Sequence, residues 1–174
     1  MTELCLNACD LGQHDCIKIA ASPKVLLLKT LDISCNQIGF EGLCDLLDPD
    51  TSNLGNLEEL ELYNCSINPA FGAQRPDFKP LVLELNHLRY LNLSHNAISG
   101  LLHFFSESFF NGNLETLILI DIMDHKQESE CVHAWLIQCL PMLTGLKKLD
   151  VSQNANILVD KLLQSIQTSQ MTAL

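Results

Sequence analysis

Positive charge is scarce in this sequence: 10 Lys and Arg stand against 21 Asp and Glu, a net charge of -11 over 174 residues. So acidic a surface repels phosphate backbones and anionic lipid, which argues against nucleic acid and membrane as direct partners. Long apolar runs are missing as well. None approaches the roughly 20 residues that span a bilayer, and Met1-Thr2-Glu3-Leu4-Cys5 has neither the basic flank nor the apolar stretch of a signal peptide. The expectation is a soluble chain of the cytoplasm or nucleus. There is no G-x-S-x-G, no P-loop, no G-x-G-x-x-G and no C-x-x-C. These absences point away from an enzyme, and the residues imply no cofactor and no catalytic site.

Two short strings hint at a metal, His14-Asp15-Cys16 and Cys131-Val132-His133 with Cys139 beyond. Residues two apart on a helix point about 200° away from each other, so neither string forms a ligand set on a regular helix and no metal is expected. Asn64-Cys65-Ser66 and Asn92-Leu93-Ser94 match the glycosylation pattern but lie inside the repeat frame described next, and they read as chance matches.

What the chain has in quantity is apolar side chains, 47% of its residues, enough for a substantial core. They recur in one frame, L-x-x-L-x-L-x-x-(N/C)-x-(L/I). One copy is Leu28, Leu31, Ile33, Asn36 and Ile38; the next is Leu57, Leu60, Leu62, Cys65 and Ile67; a third is Leu88, Leu91, Leu93, Asn96 and Ile98. Leu4, Leu6, Cys9 and Leu11 precede these, and Leu114, Leu117, Leu119 with Ile122 and then Leu146, Leu149, Val151 and Asn154 follow. Leu4, Leu31, Leu60, Leu91, Leu117 and Leu149 are spaced by 27, 29, 31, 26 and 32 residues. In x-L-x-L-x the leucines point to one face at strand period, and the Asn or Cys then turns the chain out of the strand and donates hydrogens to loop carbonyls.

Strands are therefore expected near residues 3–7, 30–34, 59–63, 90–94, 116–120 and 148–152, with helices between them. Cys16, Ile19 and Ala20 share one helical face ahead of Pro23, as do Leu43, Leu46 and Leu47. Phe104, Phe105 and Phe109, and later Val132, Trp135 and Leu136, mark two further helical flanks, and residues 156–174 carry another helix pattern. Pro69, Pro76 and Pro80 predict an irregular crossover. The eight cysteines, most at apolar frame positions, are expected to be reduced core residues rather than a disulfide framework.

On the alternation of Cys9, Asn36, Cys65 and Asn96 at the turn, and on Gly39-Phe40-Glu41-Gly42 opening a helix, the chain resembles the ribonuclease-inhibitor subfamily of leucine-rich repeats over essentially its whole length. That resemblance implies an α/β horseshoe of about six strand-helix repeats with a parallel concave sheet. Members include ribonuclease inhibitor, the sensor regions of NOD-like receptors, Ran GTPase activators, tropomodulin-like actin cappers and tonsoku-type repair scaffolds. It implies a scaffold that binds a protein, or alternatively a regulator of an enzyme such as a GTPase activator or inhibitor. Residues 1–174 read as one such domain, an uncapped part of a longer array. Ile122 stands where the fifth copy should have Asn or Cys, so that loop is expected to differ.

The side chains between the frame leucines project from the concave face. The candidate partner-binding residues are Glu59, Glu61, Tyr63, Tyr90, Asn92, Ile118 and Ile120. Tyr63 and Tyr90 lie on adjacent strands, the acidic pair suggests a partner with basic groups, and Ile118 and Ile120 would add exposed apolar surface. Against this, aromatic residues also pack well beside neighbours on a sheet, and the two isoleucines could be covered by a loop or a further segment.

Overall fold

A computed structural model describes residues 1–68, 85–98, 113–122, 140–154 and 159–168. One column of leucines organises it. Leu4, Leu31, Leu60, Leu91, Leu117 and Leu149 stand side by side in register across six parallel strands. The strands are β1 (Glu3–Cys5), β2 (Thr30–Asp32), β3 (Glu59–Glu61), β4 (Tyr90–Asn92), β5 (Thr116–Ile118) and β6 (Lys148–Asp150), paired in sequence order in one sheet. Unequal spacings of 26 to 32 residues thus leave the register untouched, because the connections absorb the difference.

Each strand starts where the frame puts it but is two residues shorter. Pairing bonds continue one step beyond, as in Leu62 N to the Asn92 carbonyl at 2.9 Å. The chain then enters the left-handed region at the same place in every repeat: Ala8, Cys35, Asn64, His95, Asp121 and Gln153 have φ between 50° and 59°. That turn ends the strand. In the two Cys-type repeats the residue after the cysteine, Asp10 or Ser66, is left-handed as well, whereas Gln37 and Ala97 after the asparagines are not. Cysteine and asparagine therefore mark two different turns.

The core lies on one side of the sheet, beneath α1 (Gln13–Ala20), α2 (Gly39–Leu46) and α3 (Val159–Thr168). Cys16 and Ala20 on α1, and Leu43 and Leu46 on α2 with Leu47 just beyond it, are buried as their helical spacing requires. Gly42 permits the two helices to approach: a Cβ there would stand 3.3 Å from Cys16 Sγ and 3.3 Å from Gln13 Cα. Gly39, at φ +67°, opens α2 in a conformation that costs a residue with a side chain about 1 kcal/mol. The expected crossover beyond Asn68 and the helical flanks at residues 101–110 and 132–139 lie outside the described residues.

The expectation that the cysteines are core residues holds only in part. Cys16 and Cys65 are buried, and Cys44 is half-buried against the core. Cys5 and Cys9 are exposed and Cys35 is half-exposed. The reason is position. Cys5 points to the open face between two frame leucines, Cys9 has no repeat before it among the described residues, and Cys35 takes the left-handed place outside the core. Burial pushes the Cys16 and Cys65 thiols up to about 12, so neither forms thiolate at neutral pH. A thiol reagent should accordingly modify Cys5 and Cys9 promptly in the native protein and reach Cys16 and Cys65 only on unfolding. Denatured without reductant, the chain should titrate eight free thiols; a smaller number would overturn the reduced reading.

Candidate functional site

Side chains line up in rows across the repeats, one row just ahead of the strands and one on the side of the sheet turned away from the core. One row below the strands runs Lys29, Glu58, Arg89, Glu115 and Lys147, whose backbones form a continuous ladder of N–H to carbonyl bonds. Its charges alternate. Lys29 Nζ lies 2.9 Å from Glu58 and Lys147 Nζ 2.9 Å from Glu115. The lysine bonds hold both carboxyls below the usual range, with Arg89 adding a smaller pull on each. This row neutralises itself.

The strand row above it does not. Glu3, Asp32, Glu59 and Glu61 project from β1, β2 and β3, and among the described residues none of them makes an ion pair. Neutral groups satisfy some of them instead. Burial pushes Asp32 up, but bonds from Ser34, Cys5 and Asn7 outweigh it and the net shift is downward. Thr30 Oγ1 donates to Glu59 at 3.4 Å. The Tyr90 hydroxyl donates to Glu61 at 2.5 Å, and Asn92, directly opposite Glu61, bonds the same carboxylate. Burial nevertheless wins at Glu61 and raises its pKa, while the Tyr90 hydroxyl, pushed up by burial and by this carboxylate, stays protonated.

The face is thus polarised. Its β1–β3 half carries four acids, and its β4–β6 half carries Tyr90, Asn92, Thr116 and Ile118 with the oppositely charged Lys148 and Asp150.

The two tyrosines do not form one anchor. Tyr90 stands opposite Glu59, while Tyr63 comes four residues further along its own strand direction, about 13 Å away at the rise of a strand. Tyr63, 38% exposed, instead lies edge-on against His95 with ring centroids 4.9 Å apart, and His95 Nδ1 lies 3.1 Å from Asp121. The expectation of exposed isoleucines needs correction too. Ile118 is only 6% exposed although it lies outside the contiguous core, because Asn92 and Asp150 stand directly beside it on both flanking strands. Ile120 is half-buried. Glu59, Glu61, Tyr63, Tyr90 and Asn92 therefore offer surface, Ile120 offers some, and Ile118 offers almost none.

Among the described residues, no three His, Cys, Asp or Glu are grouped to hold a metal ion, and no helix is long and apolar enough to cross a membrane. Cys16 of the first suspected metal string is buried in the core, and Asp15 accepts from Gly12 N and Lys18 Nζ. The second string lies outside the described residues.

Periodicity along the chain does not reveal the charge row, although the sequence contains it. Each of its members sits two residues before a second frame leucine, and lining up that column gives K, E, R, E, K.

The turn residues join the repeats. Asn36 Oδ1 accepts from Cys9 N and Leu11 N, and its Nδ2 donates to the carbonyls of Leu6, Ile33 and Ser34. Asn96 repeats this with Cys65 N, Ile67 N, Leu62, Leu93 and Ser94. Asn154 bonds back to Ile122 N and the Leu119 carbonyl. The fifth turn keeps the shared left-handed entry despite Ile122, since Asp121 has φ 50° and the Ile122 N–H is satisfied by Asn154; the rest of that loop lies outside the described residues.

Two stretches of the chain, residues 27–46 and 84–101, match the family model described as Leucine Rich repeat. No curated protein matches the chain. With six parallel strands on one frame in one sheet and helices on its core side, the chain is an α/β leucine-rich repeat solenoid.

Proposed function

We propose that this solenoid is a protein-binding scaffold of the ribonuclease-inhibitor-like class, and that it takes a partner segment bearing basic and apolar groups on the open face of its sheet. The observation that carries this is the acid strip Glu3, Asp32, Glu59 and Glu61, which pairs with no cation among the described residues, beside a lower row in which lysines neutralise Glu58 and Glu115. Negative charge held on an ordered face favours the approach and docking of a cationic partner. The two kinds of turn at Cys and Asn support the subfamily. Exposed thiols at Cys5 and Cys9 fit a reducing compartment, cytoplasm or nucleus, and residues 1–174 act as one repeat domain in this reading.

The test is capture of partners from cytosol, followed by affinity measurements on variants. Tyr63→Ala and Tyr90→Ala should each weaken binding by about 2 kcal/mol, the level of an interface hot spot, without loss of the fold. Glu61→Lys should chiefly slow association and flatten its salt dependence. Because burial keeps the proton on Glu61 to a higher pH than usual, acidification through the upper carboxylate range should weaken binding. Unchanged binding in all three variants would sink the proposal.

A further inference from the structure

The loop that leads into β2 breaks the pattern of the others. In the two places before the leading frame leucine the later repeats carry Gly55-Asn56, Asn86-His87, Gly112-Asn113 and Thr144-Gly145. The asparagines there tie one loop to the loop before it. Asn56 Nδ2 donates to the Leu26 carbonyl at 2.8 Å, and Asn113 Nδ2 donates to the Asn86 carbonyl at 2.7 Å. The first repeat has Leu26-Leu27 instead. The fold does not need these side chains, since Val25 and Leu28 on either side already fill the core, and they stand 46% and 69% exposed. Leu27 is the most exposed of the large apolar residues described.

The charge around them is equally out of pattern. From Cys16 to Leu31 there is no Asp or Glu and there are three lysines, in a chain whose net charge is -11. Lys18 and Lys29 rest on Asp15 and Glu58 in exposed pairs of the kind worth little. Lys24, presented on the 3₁₀ turn Pro23–Val25, makes no ion pair among the described residues.

We propose that Lys24, Leu26 and Leu27 form a second docking surface, which takes a protein segment carrying paired apolar side chains flanked by carboxylates. Its one charge unpaired among the described residues, Lys24, is opposite in sign to the acid strip, so the carboxylates of such a segment are attracted here and disfavoured at the strip. The scaffold would thereby hold two partners of different chemistry at once. An anionic bilayer is the less favoured occupant, because the rest of so acidic a chain opposes it.

The experiment uses the whole chain and two labelled peptides, one with adjacent leucines between glutamates and one with the same leucines between lysines, read by fluorescence anisotropy. The glutamate peptide should bind saturably. Leu26→Asn with Leu27→Asn, which installs polar residues of the kind the other repeats use, should weaken it about tenfold or more, as should Lys24→Glu alone. Thr144→Ala, at the matching place of a distant repeat, should leave binding and melting temperature as they were. Absence of saturable binding, or binding indifferent to either the double Leu26→Asn, Leu27→Asn variant or Lys24→Glu, would overturn the proposal. So would sedimentation with phosphatidylserine vesicles, or self-association in the ultracentrifuge, that those substitutions abolish: the first reassigns this surface to a membrane, the second to another copy of the chain.

Discussion

Asn96→Ala should be among the most damaging single substitutions in this chain, lowering stability by on the order of 3 to 5 kcal/mol. Its amide is buried and serves five backbone groups, three of them in the preceding repeat: it accepts from Cys65 N and Ile67 N and donates to the Leu62 carbonyl. Alanine would leave those donors and acceptors in the interior with nothing to bond, and each such group costs roughly 1 to 3 kcal/mol when water cannot reach it. Cys65→Ala should be far milder, about 1 to 2 kcal/mol. The thiol makes only weak contacts, sharing its one hydrogen between the Ile33 carbonyl at 3.3 Å and the Tyr63 carbonyl at 3.6 Å, and otherwise acts as a small hydrophobe. The chain already contains the comparison, since Ile122 at the same kind of position supplies no hydrogen and the left-handed turn at Asp121 is retained. Urea unfolding of the two variants, with the slope unchanged, checks this, and equal losses would show that the asparagines do not join the repeats as argued.

The parts of this fold that were legible in the sequence are those that depend on a residue's own place in the frame. The leucine column, the strand starts, and the buried faces of α1 and α2 follow from period alone. What escaped was relational. That Tyr63 follows its second frame leucine by three places while Tyr90 precedes its own by one separates the two rings, and this is visible only when strands are compared column by column. Ile118 occupies an outward place like Thr30 or Glu59, yet its exposure is decided by Asn92 and Asp150 beside it, which no pattern within its own strand reports. Cys5 and Cys35 were legible as outward and turn positions, but cysteine's usual burial argued the other way. The charge row and the Leu26-Leu27 exception likewise emerge from reading down the repeats instead of along the chain.

Leu91→Ala should cost about 2 to 5 kcal/mol, the range for emptying a leucine-sized space in a packed core. Leu91 lies in the interior of the leucine column, with Leu60 and Leu117 directly beside it in register and all three buried. In a solenoid each repeat is stabilised mainly by its two neighbours, so a cavity at β4 weakens two interfaces together: the one toward β3, already joined by Asn96, and the one toward β5. Leu4→Ala supplies the contrast. Leu4 belongs to the same column but is only partly buried and has a paired strand on one side alone, so it touches one interface and forfeits less apolar burial. Chemical denaturation of both variants should rank Leu91→Ala well above Leu4→Ala. A loss below about 1 kcal/mol at Leu91 would place that residue among surface sites and contradict the leucine column on which the whole register rests.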